Sequence, residues 1–512
     1  MPVAVAKTAR TGWRRGLDRK FRCGAALAAL VLMTPGTGWS REVPFTFVNR
    51  SPWPDAEVFV AVVGEIGGHV WIDPRTGSVR SMDVSDNTVQ GPTIGGNKGP
   101  GGNGLYANCF APLSEIPDRT IRVPAIAGSR ILVAFGSRLY LYFFGYSGGY
   151  AAPNLANPTD PNQGIRYEMI ELTNDANGIW ANTTRVDSYQ YPMGLEIRGD
   201  GGYLGKTGEL LDHRQIMSTW KNSVSEAFRG CLVEKDGAIV APSKTAAFQA
   251  GGAQADFFKD YVDAIWAKYA NEDLVFDGGE TGIWRGRVVG GRFVFRKLTV
   301  HVGNDTGIIV ARPSTQEVLE GKGVLSQDVQ KRPGQKLDQV VQALFCAAVN
   351  RHAIDLAAAP GATQIWSDTS KWYKTEPFNE YAGFWHRSGV SWERRSYGFC
   401  YDDVFEQSST IHAVAPVSAT VTLGGYAFAN VGIRRDGVAS RRVSATLSGR
   451  TVRLDDPAAA GTFVLTGPDG ATVAAARMEG GVARLDAIPA RGAWTWRLEG
   501  NRAAGGALVV AN

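Results

Sequence analysis

The chain has 512 residues, 44% hydrophobic and 20% charged, which excludes a mostly disordered polypeptide and predicts roughly two to four domains at ~100–200 residues each. Its 62 glycines and 14 tryptophans suit a loop-rich β protein better than a helical bundle. The net charge of +5 comes from the first 40 residues, where Lys7, Arg10, Arg14, Arg15, Arg19, Lys20 and Arg22 face only Asp18. The remainder is close to neutral, which excludes a nucleic-acid binder with a basic folded surface.

Residues 1–40 read as an export signal. After Arg22 comes an apolar stretch, Cys23–Met33, and then small and turn-forming residues from Thr34 to Ser40. The apolar stretch is too short for a stable span, and no later run approaches the ~18–20 apolar residues that a span needs. The expectation is a secreted protein, extracellular or periplasmic, with no membrane contact once the leader is removed. Cys23 precedes the apolar core, unlike a lipid-attachment cysteine. Cys109, Cys231, Cys346 and Cys400 remain. An oxidising compartment would allow two disulfides in three connectivities, with buried thiols as the alternative. Neither these cysteines nor the scattered histidines show metal-ligand spacing, so no metal and no cofactor is expected.

From Val43 to about Tyr150 the chain reads as strands. Pro44–Val48, Glu57–Val63, Ile131–Phe135 and Arg138–Phe144 are β-branched and aromatic runs bounded by turn residues. Gly95–Gly104 is a glycine-rich loop without the Gly-Lys-Ser/Thr ending of a phosphate cradle. Gly145-Tyr-Ser-Gly-Gly149 matches a serine-hydrolase elbow in pattern, but proline-rich text follows where the elbow needs a helix, so Ser147 is rejected as a nucleophile. Residues 236–395 read as mixed α and β. Apolar residues recur at helical spacing over Phe257–Tyr269, Leu337–Ala348 and Phe378–Trp385, with a strand at Gly291–Val300. Strands return at Ser396–Tyr401 and Ala419–Gly424. A linker covers 425–440. Short strands about ten residues apart over 441–512 predict a small β-sandwich accessory domain.

The chemically informative segment runs from Tyr167 to Leu195. It reads as strand, turn at Asn174–Gly178, then strand. Tyr167, Met169, Glu171 and Thr173 share one face of the first strand, because side chains two apart do. Arg185, Asp187, Tyr189 and Tyr191 share one face of the second. Pairing of the two would let Glu171 and Asp187 face one cleft, with Trp180 and Thr184 nearby. Two carboxylates beside an aromatic platform suit sugar hydrolysis, in which one group stays protonated and the other ionised.

Glu171-Leu-Thr, Gly178-Ile-Trp-Ala-Asn-Thr-Thr-Arg-Val-Asp187 and Tyr191-Pro-Met-Gly-Leu195 resemble glycoside hydrolase family 64, the β-1,3-glucanases that release laminaripentaose. Glu171 and Asp187 keep the sixteen-residue spacing of the family's catalytic pair. The resemblance implies Glu171 as general acid and Asp187 as general base, with inversion of configuration. It matches Thr173, Trp180 and Thr184 to substrate-contacting positions. Ser396–Val404 with Ser408–Thr410 is similar to a segment shared with thaumatin-like proteins. By that likeness Asp402 and Asp403 line the groove and hold the acid's pKa up by like charge. Asp160 is a further expected sugar contact, with a turn role as its alternative.

The implied fold is mainly β with an α/β insertion. Residues 41–235 and 396–424 would form a thaumatin-like β-barrel or sandwich, and 236–395 an insertion domain that completes a wide groove. The implied partner is a β-1,3-glucan and the expected state a monomer. A rival reading is a non-catalytic β-glucan-binding protein of the thaumatin-like type, which would have no need for both Glu171 and Asp187.

Overall fold

The computed structural model describes residues 41–298, 305–332 and 335–426, and beyond them 445–448, 451–454, 461–466, 472–479, 482–485, 492–499 and 504–510. The leader and most of the linker lie outside the described residues. Two sheets face each other, built from residues 43–208 and 411–423. One has five strands in the order Leu204–Gly208, Met193–Gly199, Pro416–Leu423, Val43–Asn49 and Thr120–Val123. Val43–Asn49 runs parallel to Pro416–Leu423, and the other neighbours are antiparallel. The facing sheet runs Ile411–Ala413, Gly178–Thr183, Arg166–Asp175, Ile126–Phe135, Val58–Glu65, His69–Ile72 and Val79–Ser81, with Ala111–Pro112 paired beside Val58–Glu65.

Alternation explains this packing. Val43, Phe45 and Phe47 meet Val58, Val60 and Val62, and Ile170 and Leu172 meet Leu195, Val421 and Leu423 in one buried cluster between the sheets. The outer face of the second sheet is partly roofed by loops from 82–165. There Val63, Leu132, Ala134 and Tyr167 pack under Met82, Phe110, Leu141 and Phe143, with Met169 and Tyr150 at the margin.

A third cluster surrounds helices Lys259–Asn271 and Leu337–Asn350. These pack on a five-stranded sheet ordered Thr306–Ile309, Arg292–Lys297, Ile283–Val289, Leu274–Asp277, Thr363–Ile365. Helix Glu380–Trp385 and an additional helix, His213–Ser223, join the same cluster. Seven strands between Ala445 and Val510 form one antiparallel sheet. No helix among the described residues is long and apolar enough to cross a membrane.

Two local expectations are corrected. Ser396–Tyr401 forms no strand, because the Gly398 N–H goes to the Asp402 side chain and the Asp402 N–H to the Phe399 carbonyl, which turns the chain instead of pairing it. Within Arg138–Phe144 only Tyr142–Gly145 is a strand, since the Tyr140 backbone bonds to the Asn162 side chain instead of to a ladder. Cys109, Cys231, Cys346 and Cys400 are all buried, and Cys109 and Cys231 are free thiols. Cys109 lies beneath the loop roof and Cys231 and Cys346 in the helical cluster. Burial pushes the Cys109 thiol up to about 12.

Candidate active site

Strand Arg166–Asp175 alternates as its sequence dictates. Ile170 and Leu172 point into the sandwich, and Asn174 anchors backbone carbonyls of Arg41 and Pro124 at 2.9 and 3.0 Å. Tyr167, Met169, Glu171 and Thr173 occupy the opposite face. Along that face Tyr167 is buried beneath the loops, Met169 sits at their margin, and Glu171 follows with 21% of its side chain exposed. This position desolvates Glu171 without sealing it off. Burial is the leading reason its carboxyl is held above the usual range, Arg130 opposes that rise, and the nearby charge of Asp187 adds to it.

Arg130 lies directly across the ladder from Glu171. Its Nε and Nη2 both donate to Glu171 Oε1, at 3.2 and 3.1 Å. Its Nη1 donates to the Tyr150 hydroxyl at 3.1 Å. On the other side Glu171 pairs with Asn182, and Thr173 pairs with Trp180. The Trp180 ring stacks on His412 at 4.1 Å with planes 7° apart. The Thr173 hydroxyl accepts the Gly128 N–H at 3.2 Å. Thr173 and Trp180 therefore flank Glu171 on one surface.

Asp187 reaches the cleft by a different route from the one expected. The second stretch is not a single strand. Pairing to Arg166–Asp175 stops at Thr183, and Ser188–Tyr189 pairs instead with Ala238–Val240. Arg185 and Tyr189 are buried while Asp187 is 47% exposed, so Arg185, Asp187 and Tyr189 do not share a face. The cause is a buried charge cluster. The Arg185 guanidinium bridges Glu168 and Glu209, the latter at 2.7 Å, and lies over the Tyr189 and Trp385 rings. Glu168 also accepts the Gln190 and Tyr191 N–H groups, at 2.7 and 2.8 Å. Burial, reinforced by Glu209, pushes the Glu168 carboxyl up to about 7 against the pull of Arg185. The Arg185 N–H donates to the Tyr397 carbonyl at 2.8 Å, and the Tyr381 hydroxyl to the Arg185 carbonyl at 2.6 Å.

With that segment pinned, the Asp187 carbonyl accepts the Ala241 N–H at 2.9 Å, and its Oδ1 lies 3.3 Å from Lys244 Nζ. Lys244 also meets Glu320 at 3.2 Å. Thr184 is buried, with its hydroxyl accepting the Val186 N–H at 3.3 Å. Thr184 and Asp187 line a shallow open recess with Tyr167, Glu168, Met169 and Ser188.

Two expected contacts fall elsewhere. Asp402 is fully buried, paired with Arg351 at 2.9 Å and His386 at 2.8 Å, and accepts the Gly398 N–H at 2.8 Å. It cannot line a groove; it ties the 396–405 turns to the helical part. Asp403 is partly exposed and pushed up to about 6 by burial. The like charge acting on Glu171 belongs to Asp187, and not to either of these two. Asp160 takes the turn role. Its oxygens accept the Asn154 and Asn162 N–H groups at 3.0 and 2.9 Å, and it is 8% exposed. Among the described residues no group of three or more His, Cys, Asp or Glu could hold a metal ion. Sequence reading missed Arg130, Tyr150, Lys244 and Glu320. Only Arg130, a lone cation in an apolar strand, left a signal.

The β-1,3-glucanase model of glycoside hydrolase family 64 matches residues 41–423. A glucan endo-1,3-beta-glucosidase of Arthrobacter sp. (strain YCWD3) is 25% identical over 411 residues, spanning 78% of this chain and 69% of that protein. The crystal structure of a β-1,3-glucanase domain from Clostridium beijerinckii is 32% identical, with a TM-score of 0.65 over 76% of this chain and all of that one. That of a laminaripentaose-producing β-1,3-glucanase from Paenibacillus barengoltzii with laminarihexaose is 24% identical, with a TM-score of 0.54 over 79% and 80% of the two chains.

Proposed function

Because the chain belongs to glycoside hydrolase family 64, the β-1,3-glucanases, we propose that it hydrolyses β-1,3-glucan by a single inverting displacement with Glu171 as acid and Asp187 as base. The Glu171 proton passes to the departing glycosidic oxygen as the C1–O bond breaks. Water attacks C1 from the opposite face and gives its proton to Asp187. Solvent then returns Asp187 and Glu171 to their starting states. The observation that carries this reading is the contrast between the two carboxyls: one is partly desolvated and held up, the other is half exposed beside a lysine. Thr173, Trp180 and Thr184 are the proposed sugar contacts, with Asp403 near the cleft. By family the product is laminaripentaose, and the architecture is the thaumatin type with the helical part as the second wall of a wide groove. The leader supports secretion, and the expected working state is a monomer.

Proton NMR of a laminarin digest tests the assignment. The first anomer released should be α, and Glu171→Gln and Asp187→Asn should each lower turnover by at least ~10²-fold with the fold retained. Release of β-anomer first would reject inversion. Either variant working at the wild-type rate would reject the residue pair. A wild-type chain that pellets with insoluble glucan yet yields no oligosaccharide would be a binder.

A further inference from the structure

Each of the two carboxylates meets a cation through one oxygen alone. Glu171 Oε1 takes both N–H groups that Arg130 offers it, and Asp187 Oδ1 takes Lys244. Glu171 Oε2 and Asp187 Oδ2 receive no protein hydrogen bond among the described residues. Each cation is tethered in turn, Arg130 by Tyr150 on the sandwich and Lys244 by Glu320 at the end of helix Thr315–Glu320. Guanidinium and ammonium groups donate and never accept. An oxygen that already receives their N–H bonds is a poor place for a proton.

We propose that Arg130 and Lys244 are positioning residues that dedicate one oxygen of each carboxyl to chemistry, Glu171 Oε2 to the departing glycosidic oxygen and Asp187 Oδ2 to the attacking water. The inference rests on the acid/base reading above. Without Arg130 the Glu171 proton would sample both oxygens, and the carboxyl would turn on its stem. Without Lys244 the half-exposed Asp187 would do the same. Arg130, with Tyr150 behind it, and Asp187 are the charged groups that act on Glu171, and Tyr397 lies within its field. Lys244, with Glu320 behind it, meets Asp187 directly, and Glu171 and Tyr167 lie close enough to be influenced by it.

The test is a pH–rate series on laminarin with four variants. Arg130→Met removes a cation from the acid, so the alkaline limb of kcat moves up by about one pH unit or more. Lys244→Met removes a cation from the base, so the acid limb moves up. Arg130→Lys and Lys244→Arg keep the charge. They hold their limbs in place, and Arg130→Lys still loses kcat because a point donor cannot present two N–H groups to one oxygen. KM stays within about two-fold throughout, as expected for groups that act on the chemical step. Should either Met variant fail to fold, Tyr150→Phe and Glu320→Gln release the tethers and should lower kcat by about three-fold or more at unchanged KM. Wild-type kcat and unmoved limbs in folded Arg130→Met and Lys244→Met would overturn the inference. So would wild-type kcat in the tether variants should the Met variants not fold. Glu171→Gln and Asp187→Asn run alongside: if either keeps wild-type turnover the acid/base reading fails, and if both are inactive only the positioning inference is at stake.

Discussion

Glu171 and Asp187 are held in place by different physics. Glu171 stands on a central strand with ladders on both sides, and its direction follows from the pleat and from Ile170 and Leu172 being drawn into the core. Asp187 stands on a segment that leaves that sheet, and a buried cluster of one arginine and two glutamates fixes its path. Apolar burial tolerates many sequences, provided the alternation is kept. A buried charge cluster tolerates almost none, because removing one member strands the others in a medium that cannot solvate them. The Asp187 half of the site should therefore be the more fragile.

The sharpest way to break this comparison is Arg185→Met. It leaves Glu168 and Glu209 buried without their cation, and denaturant unfolding should show a loss of about 3–5 kcal/mol. A loss no larger than that of a surface substitution would mean the cluster does not set the path of the 184–191 segment. Asp402→Asn should cost less, about 1–3 kcal/mol, because the amide keeps part of the hydrogen bonding. It should leave KM for laminarin unchanged, and a rise in KM would return Asp402 to the groove.

The Glu168 carboxyl supplies a pH readout. Its value rises from 4.5 to about 7 on folding, so within that window the folded chain holds a proton the unfolded chain has released. Stability then falls as pH rises from about 4.5 to 7. Glu168→Gln should flatten that slope in unfolding curves taken across the window. The smallest effect is expected on the Glu171 strand. Thr173→Val removes one neutral hydrogen bond and should cost about 1 kcal/mol or less, measured by the same unfolding curves.

Legibility in the sequence follows the same division. The alternation of Tyr167, Met169, Glu171 and Thr173 was readable because local periodicity and burial agree there. So were the helices at Lys259–Asn271 and Leu337–Asn350. The helix at His213–Ser223 has only its cap as a local signal, the reciprocal bonds of Asp212 and Gln215 at its start. Thr184 to Tyr191 alternates on paper as a strand would. Nothing local reveals that Arg185 has buried partners at 168 and 209. Asp402 was misplaced for a similar reason, since the side-chain direction in a turn is set by what packs around it, here Arg351 and His386. Arg130 shows in the sequence only as a lone cation in an apolar strand, its partner Glu171 lying 41 positions away, and Lys244 becomes visible only beside Asp187, 57 positions away.

The middle strand of the five-stranded sheet is Pro416–Leu423, the last strand of the sandwich in chain order, yet it lies between Val43–Asn49 and Met193–Gly199. Two half-sheets therefore wait on either side of an absent keystone until translation has passed residue 423. A nascent chain of that kind closes late and slowly, because its decisive contacts span hundreds of residues. Stop codons before 416 should consequently yield insoluble fragments, not shorter enzymes.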